Sequence, residues 1–131
     1  MIYIGSDIIE IERILKTVAR HPALWERVLT EREIKYCKSK GNPIQSFAGR
    51  FAAKEAVLKC LGQGLKCLSW HNLEILPDDL GCPQVSFELP LEKIMKAKNI
   101  ISVNLSISHS RCYAMAVAVG EVKQSENNIR N

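Results

Sequence analysis

Four charged residues lie within an apolar stretch of the chain, residues 50–61, and are the first candidates for chemistry. Ser46 is a predicted N-cap, no proline or glycine breaks the stretch, and glycines follow it, so it predicts one helix. This helix is apolar over most of its circumference and is expected to be largely buried. The charges form two i,i+4 pairs, Glu55 with Lys59 and Arg50 with Lys54. Glu55 and Lys59 predict an ordinary helix ion pair, whereas Arg50 and Lys54 are like-charged and indicate an anion nearby.

The three cations of this helix could contact a polyphosphate, because cations neutralise phosphate and stabilise charge that develops on a leaving group. The alternative for Arg50, Lys54 and Lys59 is an exposed side chain at the helix surface. Gly62 and Gly64, which follow the helix, would let the backbone approach a ligand closely. Two glycines after a helix are more often only a C-terminal cap.

Another acidic residue, Asp7, follows a short predicted strand. It opens a helical pattern that runs to about Arg20, and with Glu10 three residues later it fits a capping box. The other interpretation is that Asp7, at the end of a strand, holds a divalent metal ion. If Asp7 and Glu55 converge, they repel each other unless a cation lies between them, and Mg²⁺ is a suitable ion.

Three motifs carry a resemblance to a known family. They are Gly5-Ser6-Asp7-Ile8-Ile9-Glu10-Ile11-Glu12-Arg13, Arg50-Phe51-Ala52-Ala53-Lys54-Glu55-Ala56 and Ser106-Ile107-Ser108-His109-Ser110. Their order and spacing resemble those of the holo-acyl-carrier-protein synthases, the small 4'-phosphopantetheinyl transferases of bacterial fatty-acid synthesis. The resemblance covers residues 1–120 of the chain.

This resemblance implies roles for individual residues. Asp7 and Glu55 match the metal ligands of the family, with Mg²⁺ as the ion, and Glu55 and Lys59 are the implied catalytic residues. Arg13 matches the arginine that contacts the carrier protein, and Arg20 is a further candidate. The residues expected to bind coenzyme A are Arg50, Lys54, Lys59, Gly62, Pro83 and His109, the last two at its nucleotide end.

The implied reaction transfers 4'-phosphopantetheine from coenzyme A to a serine of apo acyl carrier protein and releases adenosine 3',5'-bisphosphate, in fatty-acid biosynthesis. Lys59 or Lys54 would assist the leaving group, and the serine proton would pass to a water molecule or to Glu55. The family works as a homotrimer with active sites between subunits, so the resemblance implies a trimer. The alternative function is a non-catalytic trimer that binds coenzyme A. Such a protein would need the cations and His109, but it would not need both carboxylates.

The order of predicted elements is strand, three helices, two strands, helix and two strands. Helices and hairpins are segregated along the chain, which predicts an α+β fold with a mainly antiparallel sheet. The resemblance implies the 4'-phosphopantetheinyl transferase fold. A single domain is expected over residues 1–120, followed by a frayed polar tail over residues 121–131.

Positive charge is concentrated in the first half of the chain. Residues 1–66 hold 12 cations and 7 acids, whereas residues 67–131 hold 6 cations and 7 acids. This excess is either a solvated helical face or a basic surface that recruits an acidic macromolecule. Acyl carrier proteins are acidic, so the first helix is the expected docking face. Nucleic acid is not expected as a partner, because the aromatic residues are few and are not interleaved with the cations.

The sequence also predicts where the protein works. No apolar run approaches the ~20 residues of a membrane span, and Asp7 lies where a signal peptide needs an apolar core. A cytoplasmic protein without a membrane partner is therefore expected. The five cysteines are odd in number, scattered and without a C-x-x-C pair, which predicts reduced thiols and neither a disulfide framework nor a zinc site.

Overall fold

The computed structural model describes residues 1–62 and 69–124 of the chain. The α+β class and the antiparallel pairing are confirmed. Four helices, not three, precede the first hairpin, and the second of them is a short helix after Pro22. The helices and strands are β1 (Ile2–Glu10), α1 (Ile11–Arg20), α2 (Leu24–Val28), α3 (Glu31–Lys38), α4 (Pro43–Cys60), β2 (Leu73–Pro77), β3 (Pro83–Phe87), α5 (Leu89–Ala97), β4 (Ile100–His109) and β5 (Tyr113–Val122), with a 3₁₀ turn at Trp70–Asn72 before β2.

An antiparallel sheet of three strands forms one layer of the fold, with β5 between β1 and β4. Helix α4 packs on this sheet through small buried residues that include Ala52 and Ala56. Gly5 of β1 makes the closest approach, because a Cβ atom at this position would overlap backbone atoms of Ala56 and Cys60. Small residues therefore bring the backbone of α4 close to β1, the strand that carries Asp7.

Strand β1 is longer than predicted, and helix α1 begins later. The whole strand pairs with β5, up to Glu10 opposite Tyr113. Helix α1 begins at Ile11, and its N-cap residue Glu10 makes no side-chain capping bond, so the predicted Asp7–Glu10 capping box is wrong. Pairing with β5 satisfies the backbone groups of this segment, and this tertiary contact overrides the helical pattern.

Helix α4 begins at Pro43, before the predicted cap at Ser46. Asn42 is the N-cap and accepts a hydrogen bond from the backbone N–H of Gln45. Proline is favourable at the first helical position, where its missing N–H removes no helix hydrogen bond. The predicted burial is confirmed, since only Phe51 and Glu55 reach the surface between residues 47 and 58.

Strand β5 continues to Val122, so the predicted tail does not begin at residue 121. Glu121 pairs with Ile2 of β1, and Val122 pairs with Ile100 of β4. A central strand has a partner on each side, and both partners extend far enough to hold these residues in the sheet. The remainder of the predicted tail, residues 125–131, and the predicted glycine at position 64 lie outside the described residues.

Candidate active site

Asp7 and Lys59 form an ion pair between β1 and α4. Lys59 Nζ donates to Asp7 Oδ1 at 3.1 Å and to the backbone carbonyl of Ser6 at 3.0 Å. The predicted pair of Lys59 with Glu55 is absent from the ion pairs of residues 1–62 and 69–124, because Lys59 reaches across to the strand. This arrangement leaves the Glu55 carboxylate without a direct cation partner from its own helix.

Glu55 lies one turn before Lys59 and is half-buried. Burial raises the pKa of the Glu55 carboxyl, the Asp7 carboxylate raises it further, and Lys59 lowers it. The two carboxylates are therefore close enough to repel each other, although they are distant in sequence. The structure thus brings together three of the predicted residues, Asp7, Glu55 and Lys59.

Two converging carboxylates are a suitable donor set for Mg²⁺. This ion is usually held by one or two carboxylates, and water molecules and substrate phosphates complete its octahedral shell. Within the part of the chain that the structure describes, no group of three or more His, Cys, Asp or Glu residues could hold a metal ion. Zinc prefers three or four such ligands, so a hard ion with few protein ligands fits these residues better. Burial and then the Asp7 carboxylate raise the pKa of Glu55, and a bound cation would relieve the repulsion between the two carboxylates.

Lys54 lies in the core, and the structure contradicts its predicted contact with phosphate. Its ammonium group has no exposed surface and donates to Glu33 Oε1 at 2.7 Å. Its other donors reach the backbone carbonyls of Val28 and Trp70, both at 2.9 Å. Because protein acceptors take all three N–H groups, Lys54 cannot also bind a ligand, and the predicted anion beside it is the Glu33 carboxylate.

Arg50 and His109 line a cavity of about 320 Å³ at the N-terminal end of α4. The guanidinium carbon of Arg50 lies 4.3 Å from the centroid of the Tyr36 ring, and the Arg50 side chain is only 7% exposed. Lys40 lines the same cavity. The structure therefore places Arg50, predicted to contact polyphosphate, beside His109, predicted at the nucleotide end, and it does so away from Asp7 and Glu55.

The two clusters lie on different sides of α4. Glu55 lies five positions after Arg50, which in an α-helix corresponds to a rotation of about 140° and a rise of about 7.5 Å. A ligand that touches both clusters in one chain must pass around the helix.

Gly62 and Pro83 occupy different places in the fold. Gly62 closes α4 in a left-handed conformation with φ of 70°, and Lys98 Nζ donates to the adjacent carbonyl of Leu61 at 2.5 Å. The C-cap interpretation of this glycine therefore describes its observed role. Pro83 begins β3 opposite Pro77 and does not line the cavity that contains His109.

Arg13 and Arg20 lie on the exposed surface of α1, as expected for a docking face. Both line a shallow cavity of about 450 Å³ together with Lys16. Arg13 also borders a neighbouring groove of about 440 Å³, whose apolar walls include Ile14, Leu24, Phe51 and Tyr113. The helix therefore combines cations with an adjacent apolar groove.

Three residues of these clusters were not predicted from the sequence. Glu33 forms a capping box with Thr30, and its carboxylate also accepts hydrogen bonds from Lys54 and from the Ile75 N–H. Tyr36 lies in the last turn of α3 and Lys40 lies two residues beyond its end, so no helical spacing in the sequence links them.

The comparisons with known proteins agree on one family. A family model described as the 4'-phosphopantetheinyl transferase superfamily matches residues 3–118. A holo-[acyl-carrier-protein] synthase of Chlamydia caviae is 50% identical over 119 residues, covering 89% of this chain and 94% of the relative.

Solved structures with the same name have the same fold. The structure of holo-[acyl-carrier-protein] synthase from Neisseria meningitidis aligns with a TM-score of 0.85 at 35% identity, over 92% of this chain and 99% of that one. The enzyme from Helicobacter pylori, crystallised in complex with coenzyme A, aligns with a TM-score of 0.78 at 38% identity, over 90% of this chain and 99% of that one.

Proposed function

This chain belongs to the 4'-phosphopantetheinyl transferase superfamily, and we propose that it transfers 4'-phosphopantetheine from coenzyme A to a serine of apo acyl carrier protein. The observation that carries the proposal is the convergence of Asp7, Glu55 and Lys59 from β1 and α4. These residues supply an anionic metal site beside a cation, which is the requirement for chemistry at a pyrophosphate. Fatty-acid biosynthesis in the cytoplasm is the proposed setting.

The reaction exchanges one phosphorus–oxygen bond for another. The serine oxygen of the carrier bonds to the phosphorus that bears the pantetheine, and the bond from that phosphorus to the bridging oxygen breaks. Adenosine 3',5'-bisphosphate leaves with the bridging oxygen, and the serine loses its proton. The protein therefore has to hold the pyrophosphate, stabilise charge on the leaving group and provide a route for the proton.

Asp7 and Glu55 would hold Mg²⁺, which supplies charge neutralisation and orientation of the phosphate oxygens when bound. Lys59 adds a cation that is 53% exposed and so is able to turn from Asp7 toward a substrate phosphate. Glu55 lies where it accepts the serine proton directly or through a water molecule.

The cationic surface of α1 is the proposed docking face for the acidic carrier. Arg13→Glu reverses the charge of an exposed residue and should raise the KM for the carrier far more than the KM for coenzyme A. Lys93→Glu, a matched reversal on the exposed surface of α5, should leave both values unchanged. Equal effects of Arg13→Glu on both substrates would contradict this docking face.

A homotrimer is proposed because one face of the three-stranded sheet is apolar and uncovered. Ile2, Ile4 and Ile8 of β1 are 55, 62 and 64% exposed, and Tyr113 and Met115 of β5 are 47 and 39% exposed. Alternation along the strands places these side chains opposite the face that packs on α4. Coverage by further copies of the chain would bury them.

The trimer is tested with Ile4→Arg, which puts a charge on the apolar face. Leu80→Arg is the control, because Leu80 is 89% exposed in the turn between β2 and β3. Sedimentation analysis should show a smaller species for Ile4→Arg only. An unchanged trimer in that variant, or a monomeric wild type, would refute assembly through this face.

The transfer is tested by intact-mass spectrometry of an apo acyl carrier protein incubated with this protein, coenzyme A and Mg²⁺. The expected result is a gain of one phosphopantetheine that is lost when a chelator is added or when Glu55 is replaced by Gln. No gain with several carriers, together with binding of coenzyme A, would favour the non-catalytic coenzyme A binder instead.

No helix of the described residues is long and apolar enough to cross a membrane.

A further inference from the structure

The Tyr36 ring contacts two cations at the cavity of Arg50 and His109. The guanidinium carbon of Arg50 is 4.3 Å from the ring centroid, and Lys40 Nζ is 4.7 Å from it. Both distances are within the range of cation–π attraction, which holds a cation over an aromatic face. Tyr36 thus contacts both of these cations at the cavity.

The cavity has the properties of an anion site. Arg50 is only 7% exposed, and its Nε has no hydrogen-bond partner within residues 1–62 and 69–124. A buried guanidinium donor without a partner is costly, so it indicates a ligand that the protein itself does not supply. The N-terminal end of α4 is capped by Asn42 at the same cavity, and its partial positive charge favours an anion there.

The geometry points to Tyr36 as a positioning residue for coenzyme A, one that presents Arg50 and Lys40 to the phosphomonoester on the ribose. This inference rests on the proposed function. The pyrophosphate belongs to Asp7, Glu55 and Lys59, which lie about 140° around α4 from Arg50. The remaining anion of coenzyme A is a phosphomonoester with two negative charges, which two held cations would match.

The first test compares Tyr36→Leu with Tyr36→Phe in the transferase assay. Tyr36→Leu removes the ring and should raise the KM for coenzyme A about tenfold, the effect of losing one or two cation–π contacts, with kcat and the KM for the carrier unchanged. Tyr36→Phe keeps the ring and should retain the wild-type KM. An equal loss in both variants would show that the ring face is not responsible.

Dephospho-coenzyme A, which lacks the phosphomonoester, provides the readout that a purely structural role would not change. Tyr36→Leu should weaken use of coenzyme A but not of dephospho-coenzyme A, so the preference between them should fall about tenfold. A parallel loss for both substrates would overturn the inference. Lys40→Met tests the same idea on an exposed residue, so it remains informative if Tyr36→Leu does not fold.

Calorimetric binding of adenosine 3',5'-bisphosphate separates this inference from the proposed function. If the wild type transfers phosphopantetheine but Tyr36→Leu and Lys40→Met bind this nucleotide as the wild type does, the inference fails and the function stands. If no carrier is modified but both variants bind the nucleotide about tenfold more weakly, the function fails and the inference stands.

Discussion

Replacing Lys54 with Met should destabilise the protein strongly, because Lys54 is half of a buried ion pair. Both side chains, Lys54 and Glu33, have no exposed surface, and their charged atoms are 2.7 Å apart. Removing one partner of a buried pair leaves an uncompensated charge and typically costs about 3–5 kcal/mol. Glu33 retains hydrogen bonds from the N–H groups of Thr30 and Ile75, which favours the lower end of that range.

The size of this loss is large relative to the whole free energy of unfolding. Natural domains are stable by about 5–15 kcal/mol, so about 3 kcal/mol is a substantial fraction. For a chain of 131 residues the melting temperature should fall by about 10 °C. Urea unfolding at a fixed protomer concentration measures the loss directly, since an assembly makes stability depend on concentration.

The double variant Glu33→Leu/Lys54→Met completes the thermodynamic cycle. Removing both charges replaces the pair with apolar side chains of similar size, which is often neutral or even stabilising. We expect it to recover only part of the stability that Lys54→Met loses, because the N–H groups of Thr30 and Ile75 also lose their acceptor on Glu33. The coupling free energy from the cycle should be about 2–3 kcal/mol.

Activity of the same double variant decides between the two roles considered for Lys54. If the ion pair only supports the fold, the refolded core should restore transferase activity together with stability. If Lys54 contacts a phosphate, the double variant should be stable yet inactive. A single-variant loss below about 1 kcal/mol, within the range of exposed pairs, would refute the buried-pair reasoning itself.

Two further predictions concern the contact between α4 and β1. Glu55→Gln removes a carboxyl whose pKa is raised in the folded state, so the folded wild type holds this proton more tightly than the unfolded chain does. Wild-type stability should therefore fall as pH rises from the ordinary glutamate pKa through the raised value, and urea unfolding with a chelator should show Glu55→Gln more stable at neutral pH but not at acid pH. Gly5→Ala places a Cβ atom against the backbone of Ala56 and Cys60, so it should cost about 1–3 kcal/mol and lower kcat by separating Asp7 from Glu55. Gly41→Ala is its control, because a Cβ at that exposed position meets no other atom within 4 Å.

The sequence motifs identified the residues of the candidate site, but they did not predict how those residues are arranged. Asp7 and Glu55 could be paired from the sequence only as an expectation, since nothing in either segment fixes how β1 meets α4. That contact depends on Gly5 fitting against Ala56, a packing property without a local signal. The helical pattern after Asp7 misled for the same reason, because pairing with β5 decides the conformation of this segment.

The spacing of charges on α4 also gave the wrong ion-pair partners, because the observed partners lie on other helices and strands. An i,i+4 rule finds partners only within one helix, so it paired Glu55 with Lys59 and left Arg50 beside Lys54. In the fold, Lys59 turns to Asp7, Lys54 turns to Glu33, and Arg50 stacks on Tyr36. A buried helix has neighbours on every side, and their charges outweigh those one turn away.

The positions of Arg50 and Glu55 on α4 indicate why a single chain would not bind both anions of coenzyme A at once. Coenzyme A carries its pyrophosphate and its phosphomonoester on one nucleotide, so both anions must be bound at the same time. Arg50 and Glu55 face directions about 140° apart on one helix, with the body of α4 between them. A neighbouring copy could present its own Arg50 and His109 beside the Asp7 and Glu55 of the first. If so, Glu55→Gln and Arg50→Ala should each lose activity alone, and mixing them should restore activity in part, because some mixed trimers would hold one site with both intact halves.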